Sequence, residues 1–74
     1  MLEIVGHTDD VGDAGANQRL SEDRALAVRS ALVIGHRVPD RRLRSRGAGE
    51  SEPVAPNSSE AGRALNRRVE LVKP

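Results

Sequence analysis

Three polar residues in the first third of the chain, Asp9, Asn17 and Arg24, have the side chains needed to bind a zwitterion. A carboxylate attracts an ammonium group, a guanidinium binds a carboxylate through two hydrogen bonds, and an amide can serve either charge. Together the three side chains would suit the end of a free amino acid. The spacing leaves a purely structural alternative open, in which Asp9 and Arg24 pair with each other.

A long helix must position two of these residues. We predict this helix from roughly Ala14 to Ile34, because apolar residues recur every three or four positions, at Leu20, Ala27, Val28, Ala31 and Ile34. Asn17 and Arg24 are separated by almost two helical turns, which places both on the same side as this stripe. A guanidinium on the packed side of a helix needs a partner. The pattern therefore predicts a polar site against the core.

The strand and loop before the helix carry Asp9. Residues 2–7 are predicted to form a strand with Leu2 and Ile4 facing the core, and the alternate residues Glu3, Val5, His7 and Asp9 facing the other side. In the following loop, Asp13 is a plausible N-cap of the helix, and the simplest interpretation of Asp10 is also a loop or capping role.

Two further strands are predicted in the second half of the chain. Residues 41–47 alternate in polarity around Leu43, and their arginines are interpreted as a solvated strand face, with a phosphate-binding strip as the alternative. Residues 68–72 alternate cleanly, with Val69 and Leu71 on one face. Between these strands, the sequence predicts a loop and a short helix.

The short helix is predicted to include residues 61–66. Asn57 is its expected N-cap, and Glu60, three residues later, would close a capping box. The helix before it is predicted to end near Gly35, and Pro39 prevents its restart. The coarse order is therefore strand, helix, strand, short helix, strand.

Composition limits both the core and the partners. The chain has 74 residues, no cysteine and no aromatic residue, so the core must be a thin one of Leu, Ile, Val and Ala. Charged residues make up 31 % of the chain with a net charge of +1, which gives little reason to expect nucleic-acid binding. No apolar run approaches the roughly eighteen residues of a membrane span, and no signal peptide is recognisable at the start.

Two catalytic or metal-dependent alternatives find little support. His7, Asp9 and Asp10 could contribute to a metal site, but the second histidine, His36, is expected at the far end of the helix. A hydrolase triad of Ser21, His7 and Asp9 lacks a nucleophile elbow and an oxyanion glycine pattern. We therefore expect no catalytic residue, no metal and no cofactor.

Four ordered motifs resemble the OmpA-like peptidoglycan-binding domain. They are Gly6-His7-Thr8-Asp9, the pattern NxxLSxxRAxxVxxxL from Asn17 to Leu32, Gly47-Ala48-Gly49-Glu50 with Pro53, and the pattern GRxxNRRVE from Gly62 to Glu70. The resemblance extends in order from about Leu2 to Val72. Domains of this family occur in outer-membrane proteins, peptidoglycan-associated lipoproteins and flagellar stator subunits, where they hold the cell wall non-covalently.

The resemblance implies a two-layer α/β fold, the strand-helix-strand-(short helix)-strand part of the mixed-sheet fold of the family. It also implies a non-enzymatic protein of the bacterial cell envelope, periplasmic or associated with the outer membrane, that binds the diaminopimelate of the peptidoglycan stem peptide. The family's binding roles then fall on Asp9 for the ammonium and Arg24 for the carboxylate, assisted by Asn17 and the backbone around Thr8 and Val11.

The sequence also departs from the family pattern. Such domains normally begin with a strand and a long helix before the equivalent of Leu2, so residues 1–74 are expected to form a single N-terminally truncated domain with an exposed sheet edge. A homodimer or strand exchange would complete the sheet, and an oligomerisation or interaction module without wall binding is the alternative function. Ala16 and Ala48 replace aromatic residues often found near the pocket.

The closing motif contains two adjacent arginines, Arg67 and Arg68. We expect them to be mainly structural residues or residues at the rim of the pocket.

Overall fold

The computed structural model describes residues 1–73. Within these residues the elements are β1 (Leu2–His7), α1 (Ala14–Gly35), β2 (Leu43–Gly49), α2 (Glu60–Asn66) and β3 (Val69–Val72), with a 3-10 turn at Asp40–Arg42. The predicted element order and the two-layer α/β class are confirmed. The predicted strand over residues 41–47 begins and ends two residues later, because the 3-10 turn follows directly after Pro39.

The sheet has β1 in the centre, with β2 on one side and β3 on the other. β1 and β2 are parallel, and α1 forms the crossover between them. β3 is antiparallel to β1, so the residues just before β3 lie beside the residues just after β1. This arrangement brings the GHTD motif at the end of β1 and the NRRVE motif at the start of β3 to the same end of the sheet.

The apolar core lies between α1 and one face of the sheet. Its centre consists of Ile4, Ala25 and Leu43, and the partly buried residues Leu2, Val28, Leu32, Val33, Val38 and Val69 pack against it. Leu2 and Ile4 therefore face the core as predicted. The core is aliphatic and small, as the composition requires.

The predicted apolar stripe of α1 is largely wrong. Ile34 is 82 % exposed and Leu20 is 41 % exposed, whereas the buried residues of the helix are Asn17, Ser21 and Ala25. Asn17 and Val28 lie on the packed side as predicted, but the rest of the buried face is shifted by about one residue, roughly 100°, from the predicted one. Small and polar side chains occupy it because the sheet approaches the helix too closely for large ones.

Glycines make this close approach possible. A Cβ atom on Gly6 would overlap the carbonyl oxygen of Ser21, and a Cβ atom on Gly47 would overlap the Ser21 hydroxyl and the backbone nitrogen of Glu22. The Ser21 hydroxyl in turn donates to the carbonyl of Gln18 and accepts a hydrogen bond of 2.9 Å from the backbone N–H of Gly49. Helix and strands are therefore in direct backbone contact at this level.

The opposite face of the sheet is covered by charged side chains. Val5 and His7 point to this face, as predicted, but both are buried. Val5 is paired in register with Arg46 on β2 and Glu70 on β3, and Arg46 forms ion pairs with Glu3 and Glu52. The aliphatic parts of such long side chains can cover apolar surface while their charges remain in water.

The helix caps follow the prediction at one helix and not at the other. Asp13 caps α1, since its carboxylate accepts a hydrogen bond from the backbone N–H of Ala16 at 2.9 Å. The prediction that Asn57 caps α2 is wrong. The cap is Ser59, whose hydroxyl accepts from the N–H of Gly62 at 3.0 Å.

Asn57 is instead engaged by Asn66, which organises the loop before α2. The completely buried Asn66 side chain accepts from the backbone N–H groups of Val54 and Ala55, at 2.8 and 3.1 Å. Its amide donates to the carbonyl of Ala55 and to the side-chain oxygen of Asn57, both at 2.9 Å. All four hydrogen-bonding positions of the amide are therefore used.

Candidate ligand-binding site

The candidate site is the loop that follows β1. The loop is fixed on both sides at its start, because the N–H of His7 donates to the carbonyl of Arg68 at 2.8 Å and the N–H of Thr8 donates to the carbonyl of Gly49 at 2.9 Å. The next residue, Asp9, therefore leaves the sheet between the start of β3 and the N-terminal end of α1.

The carboxylate of Asp9 is held by two donors. One oxygen accepts from the backbone N–H of Val11 at 3.0 Å, and the other from a terminal nitrogen of Arg67 at 2.9 Å. These hydrogen bonds, the one from Val11 first, hold the pKa of Asp9 below its usual value. The residue is 8 % exposed. Asp9 is thus an ionised, largely enclosed acceptor, as a site for an ammonium group requires.

The neighbouring predicted residues shape the loop around Asp9. The buried amide of Asn17 donates to the carbonyl of Val11 at 3.0 Å and more weakly to the carbonyl of Asp9 at 3.4 Å. The hydroxyl of Thr8 donates to the same Asp9 carbonyl at 2.8 Å. The side chain of Val11 is exposed, while its backbone N–H and carbonyl are both engaged within the loop. The structure therefore brings Asp9, Asn17, Thr8 and Val11 together.

Arg24 lies differently from the prediction. It is exposed rather than on the packed side of α1, where Ala25 is buried instead. Among residues 1–73 Arg24 takes part in no ion pair. The alternative of an Asp9–Arg24 pair is therefore wrong, because the ionic partner of Asp9 is Arg67. The cause is the rotation of α1 described above.

Arg24 lies on the same helix as Asn17, which contacts the loop after β1. It follows Asn17 by almost two turns on the same helix, and helical side chains lean toward the N-terminal end of their helix. The N-terminal end of α1 is the end next to Asp9. Arg24 is therefore an exposed cation on the same helix as Asn17.

Arg67 lies at the rim of the candidate site, with its side chain 39 % exposed, which agrees with the expected structural or rim role; its pairing with Asp9 was not predicted. Its guanidinium binds Asp9 at 2.9 Å and Glu60 at 2.6 Å, and these two carboxylates raise the pKa of Arg67. A clue was available in the sequence. Arg67 stands just before the last strand, and antiparallel pairing of that strand with β1 places it beside the residue that follows β1.

The structure gives no catalytic arrangement to Ser21. Its buried hydroxyl is bound to backbone groups of Gln18 and Gly49, and the ring of His7 lies 3.5 Å from Glu70 instead. In residues 1–73, no three His, Cys, Asp or Glu side chains are grouped so that they could hold a metal ion. Over the same residues, neither helix has the length and apolar character of a membrane span.

Comparison with known proteins identifies the family. The sequence model of the OmpA family matches residues 1–67, most of the chain. This chain belongs to the OmpA family. The resemblance to this family that the four sequence motifs indicated is thereby confirmed.

The relatives of this OmpA-family chain include larger envelope proteins. It is 54 % identical over 67 residues to outer membrane porin F of Pseudomonas aeruginosa, a match that covers 90 % of the chain and 19 % of the porin. It is 45 % identical over 73 residues to the outer-membrane lipoprotein YfiB of the same species, covering 99 % of the chain and 43 % of the lipoprotein. These relatives confirm the predicted cell-envelope location, and the chain spans less than half of each.

Solved structures match the fold closely. The crystal structure of the peptidoglycan-associated lipoprotein from Burkholderia pseudomallei superposes with a TM-score of 0.90 at 39 % identity, covering 96 % of this chain and 59 % of the lipoprotein chain. The cell wall anchor of the T6SS from Pseudomonas aeruginosa gives a TM-score of 0.84 at 36 % identity, with 96 % and 52 % covered. The OmpA-family chain thus has the fold of part of these domains.

Proposed function

We propose that this chain binds bacterial peptidoglycan non-covalently, through the diaminopimelate of the stem peptide, and so attaches an envelope protein to the cell wall. The observation that carries the proposal is the enclosed, ionised carboxylate of Asp9 in a loop fixed by Asn17. The peptidoglycan-associated lipoprotein and the cell wall anchor among the structural relatives support the same ligand class.

The proposed recognition uses both charges of one amino-acid group. Asp9 accepts the ammonium, and Arg24, which has no ionic partner among residues 1–73, takes the carboxylate. Asn17, the hydroxyl of Thr8 and the backbone carbonyl of Val11 keep the loop in shape for the ligand. Because Asp9 is largely withdrawn from water, its bond to an ammonium would be stronger than the same bond at an exposed position.

The direct test is a calorimetric or NMR titration with meso-diaminopimelate, using L-lysine for comparison. Lysine has an amino-acid group and a distal amine but lacks the second carboxylate, so the two ligands differ at the second amino-acid centre. We expect saturable binding of diaminopimelate alone, with resonance shifts centred on Asp9 and Arg24. Equal binding of lysine, or no binding by a folded sample, would contradict the proposal.

Two substitutions test the residue assignments against matched controls. We expect Asp9→Ala and Arg24→Ala each to abolish co-sedimentation with purified cell walls. The controls are Asp10→Ala in the same loop and Arg19→Ala on the same helix, both at exposed positions. If either test variant sediments as well as its control, that residue does not bind the wall.

A second candidate function is an interaction module that assembles without binding the wall. It is favoured by the outer edge of β3, which is unpaired in the described sheet and carries Leu71 at 55 % exposure beside the exposed Val72. An unpaired strand with apolar side chains is a template for pairing with another strand. A second copy of this chain, joined edge to edge or by strand exchange, is the proposed occupant.

The oligomeric state separates the two functions. Light scattering over a range of concentrations should show a dimer if the β3 edge pairs with a second copy, and Leu71→Lys should then return the protein to a monomer. Leu26→Lys, at an exposed position on α1, is the matched control. A protein that is monomeric at all concentrations and binds cell walls would exclude the module as the main function. The interpretation of residues 1–74 as one shortened domain stays a prediction.

A further inference from the structure

The guanidinium of Arg67 lies between two carboxylates. One terminal nitrogen donates to Asp9 at 2.9 Å, and the other donates to Glu60 at 2.6 Å. The two acceptors differ in their environment, because the side chain of Asp9 is 12 % exposed and that of Glu60 is 66 % exposed. One cation is thus shared between an enclosed acceptor in the candidate site and a solvated acceptor outside it.

Glu60 is itself held in place. It is the first residue of α2, and its second oxygen accepts from the guanidinium of Arg63 at 3.1 Å. Arg63 is fixed in turn by a 2.9 Å hydrogen bond to the carbonyl of Asn57. Glu60 therefore stands at a defined position beside Arg67.

This arrangement bears on ligand binding because Arg67 occupies the oxygen of Asp9 that the Val11 N–H leaves free. An ammonium group that binds Asp9 meets the positive charge of Arg67 and must share or displace it. Displacement of a guanidinium into water, without another acceptor, would oppose binding. Glu60 supplies that acceptor without any movement of the backbone.

We propose that Glu60 is a positioning residue for the ligand. It keeps the guanidinium of Arg67 bound when the ammonium group of the ligand binds Asp9. The inference rests on the proposed function, since it concerns the same site. In the free protein Arg67 bridges both carboxylates and neutralises Asp9. In the bound protein the ammonium neutralises Asp9, and Arg67 stays with Glu60.

The first test measures affinity for meso-diaminopimelate in a double-mutant cycle of Glu60→Gln and Arg67→Met. We expect Glu60→Gln to weaken binding by about two- to fivefold, within the range for an exposed ion pair. In the Arg67→Met background the same substitution should have no effect, because no guanidinium remains to be retained. Glu22→Gln, an exposed change on α1 with the same loss of charge, is the control and should leave affinity unchanged.

The second test needs no ligand. The pKa of the Asp9 carboxyl group, followed by NMR in the free protein, should rise in Arg67→Met, because the guanidinium that favours the ionised form is lost. It should fall further in Glu60→Gln, because Arg67 then binds Asp9 alone. A purely structural role of Glu60 in α2 would change stability without these opposite shifts.

The possible results distinguish this inference from the proposed function. If the parent protein binds diaminopimelate and Glu60→Gln binds it as tightly as Glu22→Gln does, the inference is wrong and the proposed function stands. If Arg67→Met leaves the pKa of Asp9 unchanged, the bridge is absent in solution and the inference is wrong. If the folded parent does not bind diaminopimelate, both are wrong.

Discussion

The hydroxyl of Ser21 accepts a hydrogen bond of 2.9 Å from the backbone N–H of Gly49, and this bond joins the middle of α1 to the end of β2. The same hydroxyl donates to the carbonyl of Gln18 one turn earlier. Ser21 is completely buried. A small polar residue is therefore the link between the long helix and the edge of the sheet next to the candidate site.

Replacement of this residue should destabilise the protein. Ser21→Ala leaves the N–H of Gly49 buried without an acceptor, and such a loss typically costs about 1–3 kcal/mol of the free energy of unfolding. Urea denaturation followed by circular dichroism measures the change. Ser30→Ala, at an exposed position of the same helix, is the control and should change stability by less than about 0.5 kcal/mol. Equal stability of the two variants would show that the Ser21 bond contributes little.

The close contact of β1 with α1 predicts a strong effect at Gly6. In Gly6→Ala the added methyl group would overlap the carbonyl oxygen of Ser21, which belongs to the helix backbone and cannot rotate away. We expect a loss of about 3 kcal/mol or more, the upper end of the range for overpacking. In Gly35→Ala the methyl group would meet no atom within 4 Å, so this control should be neutral or slightly stabilising. A Gly6→Ala variant as stable as the control would contradict the observed helix–strand contact.

The amide of Asn66 should contribute more to stability than that of Asn57. Asn66→Ala removes four hydrogen bonds and leaves the N–H groups of Val54 and Ala55 without their acceptor, so we expect a loss of about 2–4 kcal/mol. Asn57→Ala removes the one bond that joins the two side chains, for a loss of about 1 kcal/mol. Hydrogen exchange of the Val54 and Ala55 amides should accelerate in the first variant only. Equal exchange rates in both variants would argue against this role of Asn66.

The buried histidine predicts a pH dependence of stability. Burial, and then the positive charge of Arg68, lower the pKa of His7, and neither ring nitrogen has a hydrogen-bond partner among residues 1–73. The negative charges of Glu70 and Glu52 raise the pKa of His7, and the positive charge of Arg46 lowers it further. The folded state therefore resists a proton that the unfolded chain accepts below about pH 6.5. Stability should fall as the pH decreases from about 7.5 through 6.5 toward the lowered pKa of the folded state.

The two histidines of the chain provide the matched comparison. In His7→Gln the decrease in the urea midpoint between pH 7.5 and 5.5 should be smaller than in the parent, because the residue no longer titrates. In His36→Gln, at an exposed position, the decrease should be unchanged. The prediction concerns the slope with pH, so a general loss of stability in His7→Gln does not affect it. If His36→Gln reduces the dependence of the urea midpoint on pH and His7→Gln does not, the assignment of this dependence to His7 is wrong.

The part of the candidate site between Thr8 and Asn17 was largely predictable, because its residues are close together in the sequence. Asp9, Thr8 and Val11 lie in one loop, and Asn17 lies in the first turn and a half of the helix that follows. Chain connectivity alone keeps these residues near one another. The four family motifs then indicated the same residues, and the structure brings them together through the hydrogen bonds of Asn17 and Thr8.

The orientation of α1 was not predictable from its pattern of apolar residues. Both the predicted face with Leu20 and the observed face with Ser21 repeat every three or four residues, so periodicity does not choose between them. The choice depends on Gly6 and Gly47, which let the helix backbone lie on the strands and leave no room for a leucine. The exposure of Arg24 follows from that choice.

The sequence by itself determined the element order, the aliphatic core, the N-cap at Asp13 and the family, because each depends on neighbouring residues or on ordered motifs. Only the tertiary structure decided which cationic side chain forms the ion pair with Asp9. The partner, Arg67, is separated from it by 58 positions, and the two are adjacent because β3 runs antiparallel to β1. The pairing of distant strands brings such residues together, and local residue patterns do not contain that information.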